Sequence, residues 1–88
     1  MSLFVTKFGG SSVASLEKIS NVAKKIAAIR NQGHQVVVVV SATGDTTDEL
    51  LEHAYNIEKN PDKREMDMLL STGEQQATAF LALTLKSM

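Results

Sequence analysis

Cysteine and tryptophan are both absent from this 88-residue chain, and proline occurs only once. Without cysteine the chain can form no disulfide, no thiolate metal site and no cysteine nucleophile, which suits a reducing compartment, and we expect a cytoplasmic protein. The formal net charge of −1 gives no support for a nucleic acid or an acidic membrane as a partner. Long apolar runs are also missing, since the five valines Val36–Val40 are far too few to cross a bilayer.

The most informative segment joins a short apolar strand, Leu3–Phe8, to two consecutive glycines. Glycines allow the backbone to turn sharply and to approach a ligand closely, because no Cβ is in the way. The amides after Gly9 and Gly10 point toward the start of a helix, where partial positive charge collects, and Lys7 adds a full positive charge. The segment therefore predicts a phosphate-binding turn, although it has neither the P-loop spacing nor the dinucleotide-binding fingerprint.

A strand–helix–strand unit is predicted for the first half of the chain. The helix is expected to begin near Ser15, a favourable N-cap, and to end at Gly33. The segment Gln35–Ser41 contains the five consecutive valines, a pattern typical of a strand covered on both faces in a parallel α/β sheet. Together with the first strand this predicts a βαβ unit.

The second half of the chain is predicted to be helical. A capping box that starts at Thr46 indicates a helix that continues to about Lys59. Lys63–Leu70 indicates a short helix, and a second capping box at Thr72 indicates that helical structure starts again. The segment Ala77–Leu85 is apolar nearly all round, which predicts a buried helix.

Two strands with helices upon them leave much apolar surface uncovered. We therefore interpret residues 1–88 as an incomplete α/β unit, the front piece of a larger domain that is cut near the end of a helix at Met88. Unpaired strand edges and uncovered apolar faces recruit other chains, so we expect the 88 residues to be a homo-oligomer or to be only loosely ordered.

Three segments resemble, in their order and spacing, the aspartokinase branch of the amino acid kinase family. They are Lys7–Val13, Val40–Leu50 and Arg64–Gln75. Ser11 stands where the family usually has Thr and keeps the hydroxyl, and Thr43 stands where Met is usual. The resemblance implies a three-layer αβα domain, of which the whole chain would be the N-terminal βαβ portion.

The resemblance also implies an activity and a set of roles. The reaction would be transfer of the γ-phosphoryl group of ATP, used with Mg²⁺, to the side-chain carboxylate of L-aspartate. That carboxylate is ionised at neutral pH and needs no general base, so catalysis would rest on alignment and on charge neutralisation. By the resemblance, the catalytic residue is Lys7, the phosphate-binding or ATP-binding residues are Lys7, Gly9, Gly10 and Ser11, the substrate-binding residues are Ser41, Thr47 and Glu74, and no residue is a metal ligand.

Other interpretations remain open. A glutamate or acetylglutamate kinase shares the Lys-x-Gly-Gly start, although the segment Ser71–Gln75 favours aspartate, and fusion to a homoserine dehydrogenase is also possible. The nucleotide pocket of the family lies in residues that this chain does not contain, so we expect the isolated chain to be inactive. A further alternative, from a different class, is a non-catalytic half-domain completed by a partner chain. Each site residue also has a simpler interpretation. Lys7 would be a solvated lysine at a strand end, and Glu74 would be a charge in the first turn of a helix. Ser41 and Thr47 would end a strand and cap a helix.

Overall fold

The computed structural model describes residues 1–88 and confirms an α/β chain that opens with a βαβ unit. The elements in chain order are β1 (Leu3–Phe8), a short 3-10 helix (Gly10–Val13), α1 (Leu16–Asn31), β2 (Gln35–Val40), α2 (Gly44–Ile57) and α3 (Lys63–Lys86).

The two strands form a parallel sheet in a regular register. Leu3 lies opposite Gln35 at one end of the sheet, and Phe8 lies opposite Val40 at the other. The connecting helix α1 is capped as predicted, because the Ser15 side chain accepts a hydrogen bond from the Lys18 amide at 3.2 Å. Gly33 follows the helix with a φ of 90°, a left-handed conformation that favours glycine. The carboxyl ends of both strands therefore meet at one edge.

A single apolar core lies between one face of the sheet and the helices α1 and α3. Its buried members are Val13, Ile19, Val22, Ala23, Ile26, Val40, Ala77 and Leu81. Phe8, Val36 and Val38 of the sheet and Leu85 of α3 are half-buried against this cluster. Helix α2 packs on α3 and buries only Ala54.

The molecule is elongated for its length. Its radius of gyration is 15.4 Å, against about 12 Å for a compact domain of this size. Only 10 of 88 residues are buried. A core this small leaves most apolar side chains of the strands and helices in contact with solvent.

The second face of the sheet is open within residues 1–88, as expected for two strands with helices on one side only, and the cover predicted for this face of the valine strand is not among these residues. Val37 and Val39 are 49% and 48% exposed, and Val5 on the neighbouring strand is 70% exposed. Strand side chains alternate between faces, and both helices that pack on the sheet lie on the other side. The parallel pairing predicted from the valine run is confirmed.

Helix α3 is continuous over 24 residues, so the predicted break between Leu70 and Thr72 is wrong. The Thr72 hydroxyl donates to the Leu69 carbonyl at 2.6 Å inside the helix and caps nothing. The segment Ala77–Leu85 is also not buried all round, because Phe80 and Leu83 are 46% and 66% exposed. No helix of the chain is both long enough and apolar enough to cross a membrane.

Helix α2 begins earlier and ends earlier than predicted, at Gly44 and Ile57. Its N-cap is Thr43, whose side-chain oxygen accepts a hydrogen bond from the Thr46 amide at 3.2 Å. The capping box predicted at Thr46 is therefore wrong, since that residue already lies in the first turn. Near its end, Tyr55 and Ile57 are 56% and 86% exposed.

Candidate active site

The sheet edge where β1 and β2 end brings two of the predicted segments together. The Ser41 amide donates to the Phe8 carbonyl at 3.1 Å and so continues the strand pairing by one residue beyond Val40. Ligands of open parallel sheets bind beyond the carboxyl ends of the strands. Ser41, half-buried directly after β2, and Gly9, exposed directly after β1, both lie at this edge.

Gly10 is the point of closest approach between the two loops. A Cβ at this position would lie 2.7 Å from the Ala42 carbonyl oxygen and 3.2 Å from the Gly44 nitrogen, both backbone atoms that cannot swing aside. A Cβ at Gly9 would meet nothing within 4 Å. The first loop therefore needs Gly10 for space, and neither glycine adopts a positive φ.

The turn after Gly10 is a short 3-10 helix anchored by Val13. The Ser12 amide donates to the Gly9 carbonyl at 3.0 Å, and Val13 is 1% exposed in the core. Ser11 and Ser12 lie between these anchors and line a cavity of about 280 Å³ against helix α1. The predicted phosphate-binding hydroxyl of Ser11 therefore lies on the helix side of the sheet.

Lys7 lies on the opposite side. Its neighbour in β1, Phe8, packs toward the core, and strand side chains alternate, so Lys7 belongs to the open face with Val5 and Val39. The lysine is exposed. Thus the structure brings Gly10 against the second loop, while Lys7 belongs to the open face of the sheet and the Ser11 cavity lies on the α1 side.

The second loop leads directly into helix α2. The hydroxyl groups of Thr43 and Thr46 are hydrogen bonded at 2.6 Å, and the Thr47 amide donates to the Thr43 carbonyl at 3.1 Å. Thr47 is half-buried in the first turn. The predicted substrate residues Ser41 and Thr47 therefore flank one capped helix start.

Helix α3 reaches the same loop through Gly73. A Cβ there would lie 3.0 Å from the Ala42 Cβ and 3.3 Å from the Thr46 Cγ2. Gly73 is buried inside the helix, a position where glycine is otherwise unfavourable. The second loop occupies the space that a side chain at residue 73 would fill.

Glu74 follows Gly73 and lines a groove of about 580 Å³ between α3 and β2. The groove is lined by Val38, Val39 and Val40 of β2 and by Ser71, Glu74, Gln75, Thr78, Ala79 and Ala82 of α3. The carboxylate of Glu74 is exposed, so it is free to pair with a cationic group. No cluster of three or more His, Cys, Asp or Glu side chains suited to a metal ion is present.

Sequence reasoning missed several residues that shape this edge. Thr43 caps α2, and Gly73 admits the second loop, while Lys18 and Lys25 line the cavity beside Ser11. The two lysines could have been recognised from their spacing of seven residues, which places them on one side of a helix. The role of Gly73 depends on contacts between distant segments and had no local signal.

Comparison with known proteins gives a consistent result. The sequence model of the Amino acid kinase family matches residues 2–88. Aspartokinase 2 of Bacillus subtilis is 56% identical over 86 residues, which are 98% of this chain and 21% of that protein. The aspartokinase of Geobacillus stearothermophilus is 55% identical over 85 residues, 97% of this chain and 21% of that protein.

A solved structure agrees with these relatives. The crystal structure of aspartate kinase from Synechocystis matches with a TM-score of 0.93 at 52% identity, over 97% of this chain and 14% of that one. The chain belongs to the amino acid kinase family. It spans about a fifth of the length of the curated relatives that it matches.

Proposed function

We propose that this chain forms the phosphate-side part of an aspartokinase, an enzyme that transfers the γ-phosphoryl group of Mg²⁺-bound ATP to the side-chain carboxylate of L-aspartate. The relatives that support this proposal are aspartokinases, and each aligns with almost all of this chain. We further propose that the protein works in the cytoplasm as a homo-oligomer.

The observation that carries the proposal is the convergence of three segments at one sheet edge. Gly10 contacts the loop Ala42–Gly44, and Gly73 contacts the same loop from the other side. These are the segments on which the resemblance to aspartokinases rests. Their meeting at the carboxyl ends of parallel strands supports a shared ligand site.

The chemistry proposed for this edge needs few reactive groups. The aspartate carboxylate is itself the nucleophile, so alignment and neutralisation of charge dominate the barrier. Lys7 would stabilise the phosphoryl oxygens, with the backbone of Gly9 and Gly10 and the hydroxyl of Ser11 as further donors. Ser41 and Thr47 would contact aspartate, and Glu74 would pair with its ammonium group.

The isolated chain is expected to be inactive. A purified sample is tested for ATP-dependent formation of aspartyl hydroxamate. Turnover of about 1 per second or more, within the usual range of enzymes, would contradict the expectation. Glutamate and acetylglutamate are tested as alternative acceptors in the same assay. A non-catalytic half-domain is expected to show no turnover with any of the three acceptors.

The roles are tested in a chimera in which the matching segment of B. subtilis aspartokinase 2 is replaced by this sequence. Lys7→Ala is expected to lower kcat by about 100-fold or more, because its charge acts most strongly in the transition state. Glu74→Ala is expected mainly to raise KM for aspartate, by about tenfold or more, because the ammonium group is remote from the reacting bond. Steady-state kinetics with both substrates separate the two effects.

Matched controls are Lys24→Ala and Glu52→Ala, which remove exposed charges from α1 and α2 outside the proposed site. Both are expected to keep kcat and KM within about twofold, as surface substitutions do. An inactive chimera of normal stability, or a Lys7→Ala variant with unchanged kcat, would contradict the proposed function.

A further inference from the structure

The loop between β2 and α2 is held between two glycines. Gly10 approaches its backbone, since a Cβ at Gly10 would lie 2.7 Å from the Ala42 carbonyl oxygen and 3.2 Å from the Gly44 nitrogen. Gly73 of α3 approaches its side chains, since a Cβ at Gly73 would lie 3.0 Å from the Ala42 Cβ and 3.3 Å from the Thr46 Cγ2. A side chain at either glycine would therefore have to displace a neighbour.

Neither of the two methyl groups that face Gly73 can turn aside. The Ala42 Cβ is bonded directly to the backbone and moves only with the loop. The Thr46 side chain is held by Thr43, whose hydroxyl donates to the Thr46 hydroxyl at 2.6 Å and accepts from the Thr46 amide at 3.2 Å. A methyl group added at residue 73 would therefore push the loop and α3 apart, because no side-chain rotation can make room for it.

The loop is the side of this contact that is least able to move. Its first residue is tied to the sheet, because the Ser41 amide donates to the Phe8 carbonyl at 3.1 Å. Its backbone is blocked by the close approach of Gly10. An added methyl group at Gly73 would therefore displace the segment of α3 that carries Glu74.

The two sides of the contact carry the two parts of the proposed aspartate site. Ser41 and Thr47 lie at the ends of the loop, and Glu74 follows Gly73 on α3. We propose that Gly73 is a positioning residue that sets the span between the loop and Glu74, and with it the affinity for aspartate. Gly73 has no side chain to touch the substrate, so it acts only through the residues that it places. This inference rests on the proposed function.

The test is steady-state kinetics of Gly73→Ala in the aspartokinase 2 chimera. The KM for aspartate should rise by about tenfold, since a displaced Glu74 pairs less well with the ammonium group. The kcat and the KM for ATP should stay within about twofold, because that ammonium group is remote from the reacting bond. An unchanged KM for aspartate would overturn the inference, and so would an equal rise in the KM for ATP, which would indicate general distortion.

Gln76→Ala is the matched control, because Gln76 is an exposed residue of α3 on the turn that follows Gly73. It should change both KM values by less than about twofold, as surface substitutions do. A rise in the KM for aspartate equal to that of Gly73→Ala would show that any change in this part of α3 has the same effect, and would overturn the inference.

Rescue identifies the contact itself. Ala42→Gly removes the atom that a Cβ at residue 73 would approach to 3.0 Å. Thr46→Ser removes the atom at 3.3 Å and keeps the hydroxyl. Gly73→Ala combined with Ala42→Gly should return the KM for aspartate to within about twofold of Ala42→Gly alone. The combination with Thr46→Ser should recover less, because the closer contact remains. A combination with Ala42→Gly that is no better than Gly73→Ala would overturn the inference.

Near-UV circular dichroism of each chimera establishes that it is folded before kinetics are measured. If Gly73→Ala alone does not fold, the two combined variants carry the test, and the one with Thr46→Ser should have the higher KM for aspartate. Equal or reversed KM values would overturn the inference. A folded but inactive unsubstituted chimera would remove both the proposed function and this inference. An active chimera in which Gly73→Ala leaves the KM for aspartate unchanged would remove the inference alone.

Discussion

Both faces of the β1–β2 sheet carry apolar side chains, but the two faces lie in opposite environments. On one face Phe8, Val36 and Val38 pack against α1 and α3, and Val40 is buried. On the other face Val5, Val37 and Val39 are between 48% and 70% exposed. The valines of one continuous run are thus divided between a core and open solvent by strand alternation alone.

This difference shows that side-chain chemistry specifies the strands but not what covers them. Helices α1 and α3 cover the first face with their apolar stripes, which have Ile19, Val22 and Leu81 at the centre and also pack against one another. The second face also carries apolar side chains, beside the polar Lys7 and Gln35, and no helix of residues 1–88 packs upon it. We therefore expect the interactions that stabilise the fold to lie mainly on the face covered by α1 and α3.

The largest expected effect compares Leu81 with Leu83 of α3. Leu81 is 4% exposed in the core, and its replacement by Ala should lower the free energy of unfolding by about 2–5 kcal/mol. Leu83 is 66% exposed, and Leu83→Ala should change it by less than about 0.5 kcal/mol. Urea unfolding at a fixed chain concentration measures both. Equal effects of the two substitutions would show that the contrast between faces has no energetic counterpart.

The next effect extends the comparison past the end of β1. Gly10→Ala forces a Cβ to within 2.7 Å of the Ala42 carbonyl oxygen and should cost about 1–3 kcal/mol through backbone displacement. Gly9→Ala adds a Cβ with nothing within 4 Å and should be neutral or stabilise by up to about 1 kcal/mol. Thermal and urea unfolding of both variants test the pair. A stable Gly10→Ala variant would mean that the two loops are not held together.

The smallest effect concerns the open face. Replacing Val37 and Val39 by Thr removes apolar surface that another copy of the chain can cover, and should weaken self-association by about tenfold. Unfolding of the monomer should change little, since neither side chain lies in the core. Sedimentation equilibrium over a range of concentrations gives the dissociation constant. Val36→Thr is the matched control on the covered face, expected to lower stability without weakening association.

Much of the fold follows from local pattern. The βαβ order, the Ser15 cap and the end of α1 at Gly33 depend on residues close in sequence, and all three are confirmed. The single long helix α3 could not be predicted locally, because Gly73 and the threonine hydroxyls beside it are usual signs of a break. Contacts with the second loop make glycine suitable there.

The candidate site was predictable only in outline. Parallel strands place Gly10 and Ser41 at one edge from topology alone, and the structure has them there. The placement of Lys7 on the face opposite to α1 depends on which face receives that helix, which a valine run cannot specify. The roles proposed for Lys7, Ser41, Thr47 and Glu74 in binding and catalysis stay predictions until the variants are measured.

The contact at Gly73 also fixes the axial position of a 24-residue helix. Moving α3 by one residue, a shift of about 1.5 Å along its axis with a rotation of about 100°, would bring Thr72 or Glu74 opposite Ala42 in place of a glycine. With a Cβ at residue 73 already limited to 3.0 Å from that of Ala42, no larger side chain fits. The absence of a side chain at Gly73 thus sets the register of α3 against the sheet edge. The same contact fixes the position of Glu74 relative to the end of β2.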